Sequence, residues 1–184
     1  VDAGMQSGQG GAQWPSPDAD SVTFWKQVTP IYKSYSNVLF ELYNEPNPSS
    51  WSCWVSGCSY TNVKGYSNDC GCTKAVSYQA VGMQTLVNTV RSAGATNLML
   101  VGGMNWGYEL GQLNTYALSG SNIVYDTHPY PYSGKMSTNW DSSFGNISSK
   151  YALISAENGE YDCATSYDSQ LFDYLDAHKI GWVT

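Results

Sequence analysis

The chain repeats one pattern, in which a short apolar run ends on polar or aromatic residues and a longer segment with helical spacing follows. The apolar runs cover residues 38–43, 97–102, 122–127 and 151–156, and residues 180–184 resemble the start of another. Runs of this length without polar alternation are typical of strands that are buried on both faces. Their alternation with helices predicts right-handed crossovers and a parallel sheet.

Helix candidates lie between these strands. Apolar residues recur at helical spacing in three segments, and a weaker candidate precedes the fourth apolar run: residues 18–35, 74–93, 167–179 and 138–150. The second segment is followed by Gly94, a usual residue at a helix end. The opening residues 1–5 are interpreted as the end of a further strand. We therefore predict that residues 1–184 form a single α/β domain.

The composition argues against two classes of binding partner. Of 184 residues, 42% are apolar and only 12% are charged, and the net charge is −7 without any run of Lys or Arg. This balance argues against a nucleic acid or an anionic membrane as partner, and no apolar stretch reaches the roughly 18 residues needed to span a bilayer. A polar surface built from Ser, Asn, Thr, Gly and Tyr is common in extracellular proteins, so we expect secretion.

Four of the five cysteines cluster in a Ser- and Gly-rich segment that we interpret as a loop: Cys53, Cys58, Cys70 and Cys72. The first interpretation is a disulfide-stapled extracellular loop, and its three possible pairings stay open. The alternative is a structural zinc site, although the spacing of these residues is unusual for one. Cys163 is left over and is predicted to be a buried or free thiol.

Polar and aromatic side chains follow four of the predicted strands. They are Asn44-Glu45-Pro46, Met104-Asn105-Trp106, His128-Pro129-Tyr130 and Glu157-Asn158-Gly159-Glu160. Ligands of parallel sheets bind at the carboxyl ends of the strands, so we expect these clusters to line one cleft. Strand ends are also polar when only a loop follows, but Glu is disfavoured in strands and here directly follows apolar runs.

Two carboxyl groups that face each other across a bound sugar can break a glycosidic bond. One gives a proton to the leaving oxygen, and the other attacks the sugar or activates water. Asn44 could bind a sugar hydroxyl beside Glu45, and Pro46 would fix the backbone after it. Other hydrolase classes have no support, because the chain contains neither the G-x-S-x-G nor the H-E-x-x-H motif.

In order along the chain, these motifs resemble those of glycoside hydrolase family 5, the large family of retaining cellulases built on (β/α)8 barrels. The matching segments are VLFELYNEP (38–46), GGMNWGYEL (102–110), THPYPY (127–132), YALISAENGEYD (151–162) and IGWVT (180–184). They are similar to the ends of the family's strands four to seven and to the beginning of strand eight. The resemblance implies a truncated or incomplete (β/α)8 TIM-type barrel of about six parallel strands.

The resemblance also implies residue roles, and it implies neither a metal nor a cofactor. Glu45 would be the general acid/base, and Glu157 would be the nucleophile that forms a covalent glycosyl-enzyme. Four residues would bind substrate, with the tyrosine close to the nucleophile and the tryptophan as a sugar platform: Asn44, His128, Tyr130 and Trp106. Glu160 is the competing nucleophile, Glu41 is interpreted as a buried, paired structural group, and His178 is expected at the surface.

The expected function is that of a retaining endo-β-1,4-glucanase acting on β-linked polysaccharide or oligosaccharide, with mannan or xylan as alternative substrates. The alternative from another class is a truncated barrel that binds carbohydrate with weak or no turnover. The matching positions begin at the family's third strand, and at the end of that strand the chain has Met5 and Gln6 where the family has a histidine. Six strands would leave two exposed edges, so we predict a partly open barrel or a homodimer that covers the gap.

Overall fold

The computed structural model describes residues 14–67 and 72–183. The elements are, in chain order, α1 (Ala19–Tyr32), β1 (Phe40–Glu41), α2 (Trp51–Ser56), β2 (Ser59–Ser67), β3 (Cys72–Gln79), α3 (Met83–Ser92), β4 (Met99–Gly102), α4 (Leu113–Tyr116), β5 (Ile123–Asp126), α5 (Ser137–Ser143), a 3₁₀ helix (Gly145–Ile147), β6 (Leu153–Ser155), α6 (Ser166–Ala177) and β7 (Gly181–Trp182). The strand predicted at residues 1–5 lies outside the described residues. Within them, no helix combines the length and the apolar character needed to cross a membrane.

Five strands form one parallel sheet in the order β1-β4-β5-β6-β7. Phe40 lies opposite Met99, Met99 lies opposite Ile123, and Asp126 lies opposite Ile154. This arrangement confirms the predicted α/β class and the parallel sheet. Each edge strand, β1 and β7, pairs with a single strand among the described residues. The homodimer that would cover these edges stays a prediction.

The core lies between one face of this sheet and the helices. Buried side chains from both join one cluster, which includes Trp25, Phe40, Leu86, Met99, Val101 and Leu171. Burying a large apolar side chain of this kind stabilises the fold by about 1.5–3 kcal/mol. Two indoles also bind strand carbonyls, because Trp25 Nε1 donates to Leu42 at 3.0 Å and Trp54 Nε1 donates to Gly102 at 3.0 Å.

The helices at the two ends of the chain lie where the sequence predicts them. Asp18 caps α1 by accepting a hydrogen bond from the Ser21 amide at 3.2 Å, and the Ser21 side chain lies close to the Asp18 amide in return. The helix predicted over 167–179 is α6, and the weaker candidate over 138–150 forms α5 and the 3₁₀ helix. Local spacing and capping were therefore sufficient for these elements.

The helix predicted over 74–93 is wrong in its first half. Residues of this segment form β3, which pairs antiparallel with β2, and Tyr78 stacks on Tyr60 with ring centroids 5.0 Å apart. Aromatic and β-branched residues favour a strand once a partner strand is available, and the helical spacing did not reveal that partner. Gly82, with φ of 70°, then separates β3 from α3.

The described part of the cysteine segment is α2 followed by the antiparallel strands β2 and β3, and not a loop. Cys53 and Cys58 form a disulfide across the end of α2. The zinc alternative is therefore wrong, because both sulfurs of this pair are bonded to each other. Cys70 lies outside the described residues. Cys163 is a free thiol and is exposed.

Candidate active site

A cleft of about 660 Å³ opens at the carboxyl ends of the parallel strands. Its lining consists of Glu45, Asn105, Trp106, Tyr130, Tyr132, Ser133, Lys135 and Glu157. Four of the six predicted site residues therefore meet there. His128 is buried beside two of them, and Asn44 is half-buried directly before Glu45 without lining the cleft. The single cleft expected from the strand ends is present.

Glu45 reaches the cleft through a sharp change of backbone direction after β1. Its φ is 44°, a left-handed conformation that costs a non-glycine residue about 1–3 kcal/mol and is common at functional sites. The next residue, Pro46, packs against Gly102 at the end of β4, where an added Cβ would lie 3.1 Å from the Pro46 ring. Because Gly102 has no side chain, the Pro46 ring can pack closely against it, and this contact fixes the turn that carries Glu45.

Glu157 follows β6 at the opposite side of the cleft. The Tyr130 hydroxyl donates to Glu157 Oε1 at 2.9 Å. Burial, together with this hydrogen bond and the charge of Glu157, raises the pKa of Tyr130, so the phenol keeps its proton and remains a donor. The segment after Glu157 is held in place as well, since the side-chain Nδ2 of Asn158 donates to the Val183 carbonyl at 2.9 Å.

His128 lies between the two glutamates and is only 1% exposed. Its Nδ1 is 3.5 Å from Glu45 Oε1 and 3.7 Å from Glu157 Oε2, distances that fit ionic attraction better than strong hydrogen bonds. Burial alone would lower its pKa, but the hydrogen bond to Asp126 and the nearby glutamates outweigh burial and raise the pKa of His128 to about 10. The ring is therefore an imidazolium at neutral pH.

Asp126 is a site residue that the sequence analysis does not identify, because it lies inside the apolar run 122–127. It is fully buried, and its Oδ2 lies 3.1 Å from His128 Nε2. Its Oδ1 accepts a hydrogen bond from the Ala156 amide at 2.9 Å. A carboxylate inside an otherwise apolar strand was the available signal, since buried charges in proteins are paired.

One carboxylate oxygen from Glu45, one from Glu157 and a nitrogen of His128 all lie within 4.8 Å of one another. Carboxyl groups about 5–5.5 Å apart are typical of retaining glycosidases, whereas inverting enzymes need a wider gap for water. This close approach fits a pair in which one carboxyl group attacks the sugar directly.

Trp106 stands on a strained turn at the rim of the cleft. Three consecutive residues have left-handed backbones, with φ of 54° at Asn105, 59° at Trp106 and 71° at Gly107. Lys135 closes this turn by donating from Nζ to the Asn105 carbonyl at 2.9 Å. Gly107 is required beside His128, because an added Cβ would lie 3.1 Å from the imidazole ring. Trp106 is 44% exposed, which leaves ring surface open to a ligand.

The other acidic and histidine candidates lie elsewhere. Glu160 accepts a hydrogen bond from the Asp168 amide at 2.9 Å near the start of α6 and does not line the cleft. The expectation that Glu41 is buried is wrong, because its side chain is exposed, although its carboxylate lies near Asp126 and His128. Partial desolvation of its carboxyl group and the charge of Asp126 raise the pKa of Glu41. His178 is half-buried and stacks on Tyr174.

Two groups of described side chains approach the spacing of a cation site: Glu41 with Asp126 and His128, and Glu45 with His128 and Glu157. Both depend on His128. A metal ion in either group would have to displace the proton that the surrounding carboxylates hold on this ring, which disfavours it there. The two groups are therefore described as ion-paired clusters around His128.

We expect protein stability to fall with rising pH because of His128. The unfolded chain loses this proton near its ordinary pKa of 6.5, whereas the folded protein keeps it to about 10. The stabilisation is therefore complete below pH 6.5 and is lost as the pH rises through 10, with a slope of at most about 1.4 kcal/mol per pH unit. Urea denaturation across this window should show a shallower slope in His128→Gln, and equal slopes would contradict the assignment.

The profile of the family described as "Cellulase (glycosyl hydrolase family 5)" matches residues 4–184. The manganese-dependent endoglucanase Eg5A of Phanerodontia chrysosporium is 29% identical over 154 residues, 78% of this chain and 33% of that protein. The solved β-glucanase SdGluc5_26A of Saccharophagus degradans, in complex with cellotetraose, superposes with a TM-score of 0.68 at 19% identity, over 91% of this chain and 51% of that one.

Endoglucanase Cel5A of Thermobifida fusca superposes with a TM-score of 0.63 at 19% identity, over 89% of this chain and 49% of that one. The chain thus spans about half the length of these solved structures and a third of the Phanerodontia chrysosporium relative. The predicted partial barrel is confirmed as the fold class. Because the family profile covers nearly all of its residues, the chain belongs to glycosyl hydrolase family 5, the cellulase family.

Proposed function

We propose that this chain carries the catalytic centre of a glycoside hydrolase that cleaves β-1,4-linked glucan within the polymer and retains the anomeric configuration. Glu45 is the acid/base and Glu157 is the nucleophile. The observation that carries the proposal is the close approach of the two carboxylates, since one oxygen of Glu45 lies within 4.8 Å of one oxygen of Glu157 and His128 lies beside both. Family membership supports the same reaction class.

The proposed reaction has two displacement steps. In the first, a Glu157 oxygen forms a bond to the anomeric carbon while the glycosidic bond breaks and Glu45 gives its proton to the leaving oxygen. In the second, Glu45 takes a proton from water, the water oxygen bonds to the anomeric carbon, and the Glu157 carboxylate is released. Both groups return to their starting protonation states.

The neighbouring side chains support these roles. The Tyr130 hydroxyl and His128 Nδ1 contact the two oxygens of Glu157, which orients this side chain for attack. Glu45 lies on the other side of the same ring, with its Oε1 3.5 Å from His128 Nδ1, so His128 also helps to position the proposed acid/base. Asn44 adds a sugar contact next to the acid/base in this proposal.

Glucan is the proposed substrate among the β-linked polysaccharides. The partly exposed face of Trp106 suits the apolar face of a pyranose, but it does not separate glucan from mannan or xylan. The choice of glucan rests on relatives, since the Saccharophagus degradans β-glucanase was solved with cellotetraose and the curated relatives are endoglucanases. Secretion is part of the proposal, and the Cys53–Cys58 disulfide supports it.

The test is reducing-sugar release from soluble cellulose, mannan and xylan by wild type, Glu45→Gln and Glu157→Gln. We expect release from cellulose by wild type and loss in both variants, with Glu160→Gln as the matched control that retains activity. Equal release by wild type and the two site variants would overturn the assignment. Binding of cellotetraose without turnover by wild type would instead identify a carbohydrate-binding protein.

Dialysis against EDTA is expected to leave glucan hydrolysis by this chain unchanged. The physical reason is that the proposed steps take the nucleophile and the proton from Glu157 and Glu45, and a metal ion in either candidate cluster would first have to displace the His128 proton. The comparison is informative because a relative is a manganese-dependent endoglucanase. Hydrolysis rates measured before dialysis, after it, and after Mn²⁺ addition give the answer, and a loss that Mn²⁺ restores would contradict the expectation.

A further inference from the structure

We propose that Asp126 is a positioning residue that keeps the His128 ring protonated and turned toward both glutamates, and that also anchors the backbone leading into Glu157. The inference rests on the proposed function for its catalytic consequence, and on the contacts of Asp126 for everything else. Asp126 does not line the cleft, so it acts through its neighbours and not on the substrate.

The two oxygens of Asp126 bind two different parts of the site. Oδ2 lies 3.1 Å from His128 Nε2, and Oδ1 accepts from the Ala156 amide at 2.9 Å. Ala156 directly precedes Glu157, so one carboxylate fixes both the ring beside the catalytic pair and the base of the nucleophile. A fully buried carboxylate with both oxygens engaged has little freedom to rearrange.

The charges around His128 explain why the ring carries a proton. Four carboxylates face it or lie close to it: Asp126 and Glu41 from the strands β5 and β1, Glu45 from the turn after β1, and Glu157 from the end of β6. A neutral ring would leave the buried charge of Asp126 without compensation, which is costly in a low-dielectric site. With Nε2–H bound to Asp126, the other N–H, on Nδ1, lies between the catalytic carboxylates and offsets their repulsion.

The ring has no alternative position that would serve the same purpose. The His128 amide donates to the Gly107 carbonyl at 3.2 Å, and the ring packs against Gly107, where even a Cβ would lie 3.1 Å away. The protein therefore holds the backbone and one face of the ring, and Asp126 fixes its Nε2 edge. Changing the group at position 126 changes the charge on the ring without opening space for it to move.

The substitution Asp126→Asn removes the negative charge of the side chain and keeps its shape. The asparagine oxygen can still accept from the Ala156 amide, as Oδ1 does now. Its NH₂ group then faces His128 Nε2, which has to accept a hydrogen bond and therefore cannot carry a proton. The variant keeps the size and the backbone anchor, and it converts the imidazolium into a neutral ring with its proton on Nδ1.

Ring ¹⁵N NMR reads this change directly, because the chain contains only two histidines and His178→Gln removes the second signal. At about pH 8, above the ordinary histidine pKa, we expect both ring nitrogens of His128 to be protonated in the wild-type background and one to be unprotonated in Asp126→Asn. We also expect kcat on soluble cellulose to fall about 10–100-fold, as for the loss of a charge-assisted hydrogen bond, with KM little changed.

A merely structural Asp126 would leave the ring's protonation unchanged in the asparagine variant, and that result would overturn the proposal. So would a neutral His128 in the wild-type background, which can be measured even if the variant fails to fold. Full kcat in a folded Asp126→Asn protein would remove the catalytic consequence. If wild type hydrolyses no glucan, the proposed function fails, while the NMR comparison still decides the role of Asp126.

Discussion

Replacing Glu157 with glutamine is expected to lower kcat on an aryl β-cellobioside by on the order of 10⁴- to 10⁶-fold, the range seen when one member of a catalytic unit is removed. The amide has nearly the same shape and can still accept the hydrogen bond from Tyr130, but it cannot form the glycosyl-enzyme ester. The loss should be independent of the leaving group, because every substrate needs the nucleophile. Steady-state rates on a series of aryl cellobiosides measure it.

Glu45→Gln should give a different pattern on the same series. A good leaving group such as dinitrophenolate departs without a proton, so the first step should be nearly normal on that substrate and strongly impaired on cellulose. Glu160→Gln, whose carboxylate binds the Asp168 amide, is the matched control and should behave as wild type. A leaving-group dependence in Glu157→Gln and none in Glu45→Gln would reverse the two roles.

Truncating Trp54 to alanine is expected to lower the free energy of unfolding by about 3–5 kcal/mol, the usual cost for a buried tryptophan. Trp54 is 1% exposed and packs beside Trp51 and Tyr125. Its Nε1 donates to the Gly102 carbonyl at 3.0 Å, at the end of β4. The substitution therefore opens a cavity and also leaves a buried carbonyl unpaired.

Urea denaturation followed by circular dichroism measures this loss. Trp54→Phe is the matched control, since it keeps most of the ring packing and removes the hydrogen bond. Its free energy of unfolding should fall by less than that of Trp54→Ala. Equal losses in the two variants would show that the hydrogen bond, and not the packing, dominates. A loss below about 1 kcal/mol in Trp54→Ala would contradict the placement of Trp54 in the core.

The sequence was sufficient for the parallel strands and for the residues at their ends. Apolar runs identify buried strands, and parallel pairing forces their carboxyl ends to one edge, so Glu45 and Glu157 were expected in one cleft and both line it. The sequence could not give their separation, because that depends on strand register and on the left-handed turn at Glu45. Both are decided by tertiary packing.

Three features show where local pattern was not enough. The first half of the 74–93 segment has helical spacing but pairs with β2, since a partner strand overrides a local preference. Asp126 lies among apolar residues, and the sequence does not show its two hydrogen-bond partners. Ala156 is distant in sequence, and the contact with His128 depends on the exact backbone conformation after β5. Glu41 is predicted to be buried, and its side chain is exposed.

The central claim is that Glu45 and Glu157 act as a retaining pair, and the anomeric form of the first product tests it most directly. ¹H NMR of cellotetraose hydrolysis by wild type, recorded before mutarotation equilibrates the products, distinguishes the two anomers. A direct attack by Glu157, expected for carboxylates this close, produces the β-anomer first. An α-anomer formed first would mean that water attacks in a single step, and it would contradict the account.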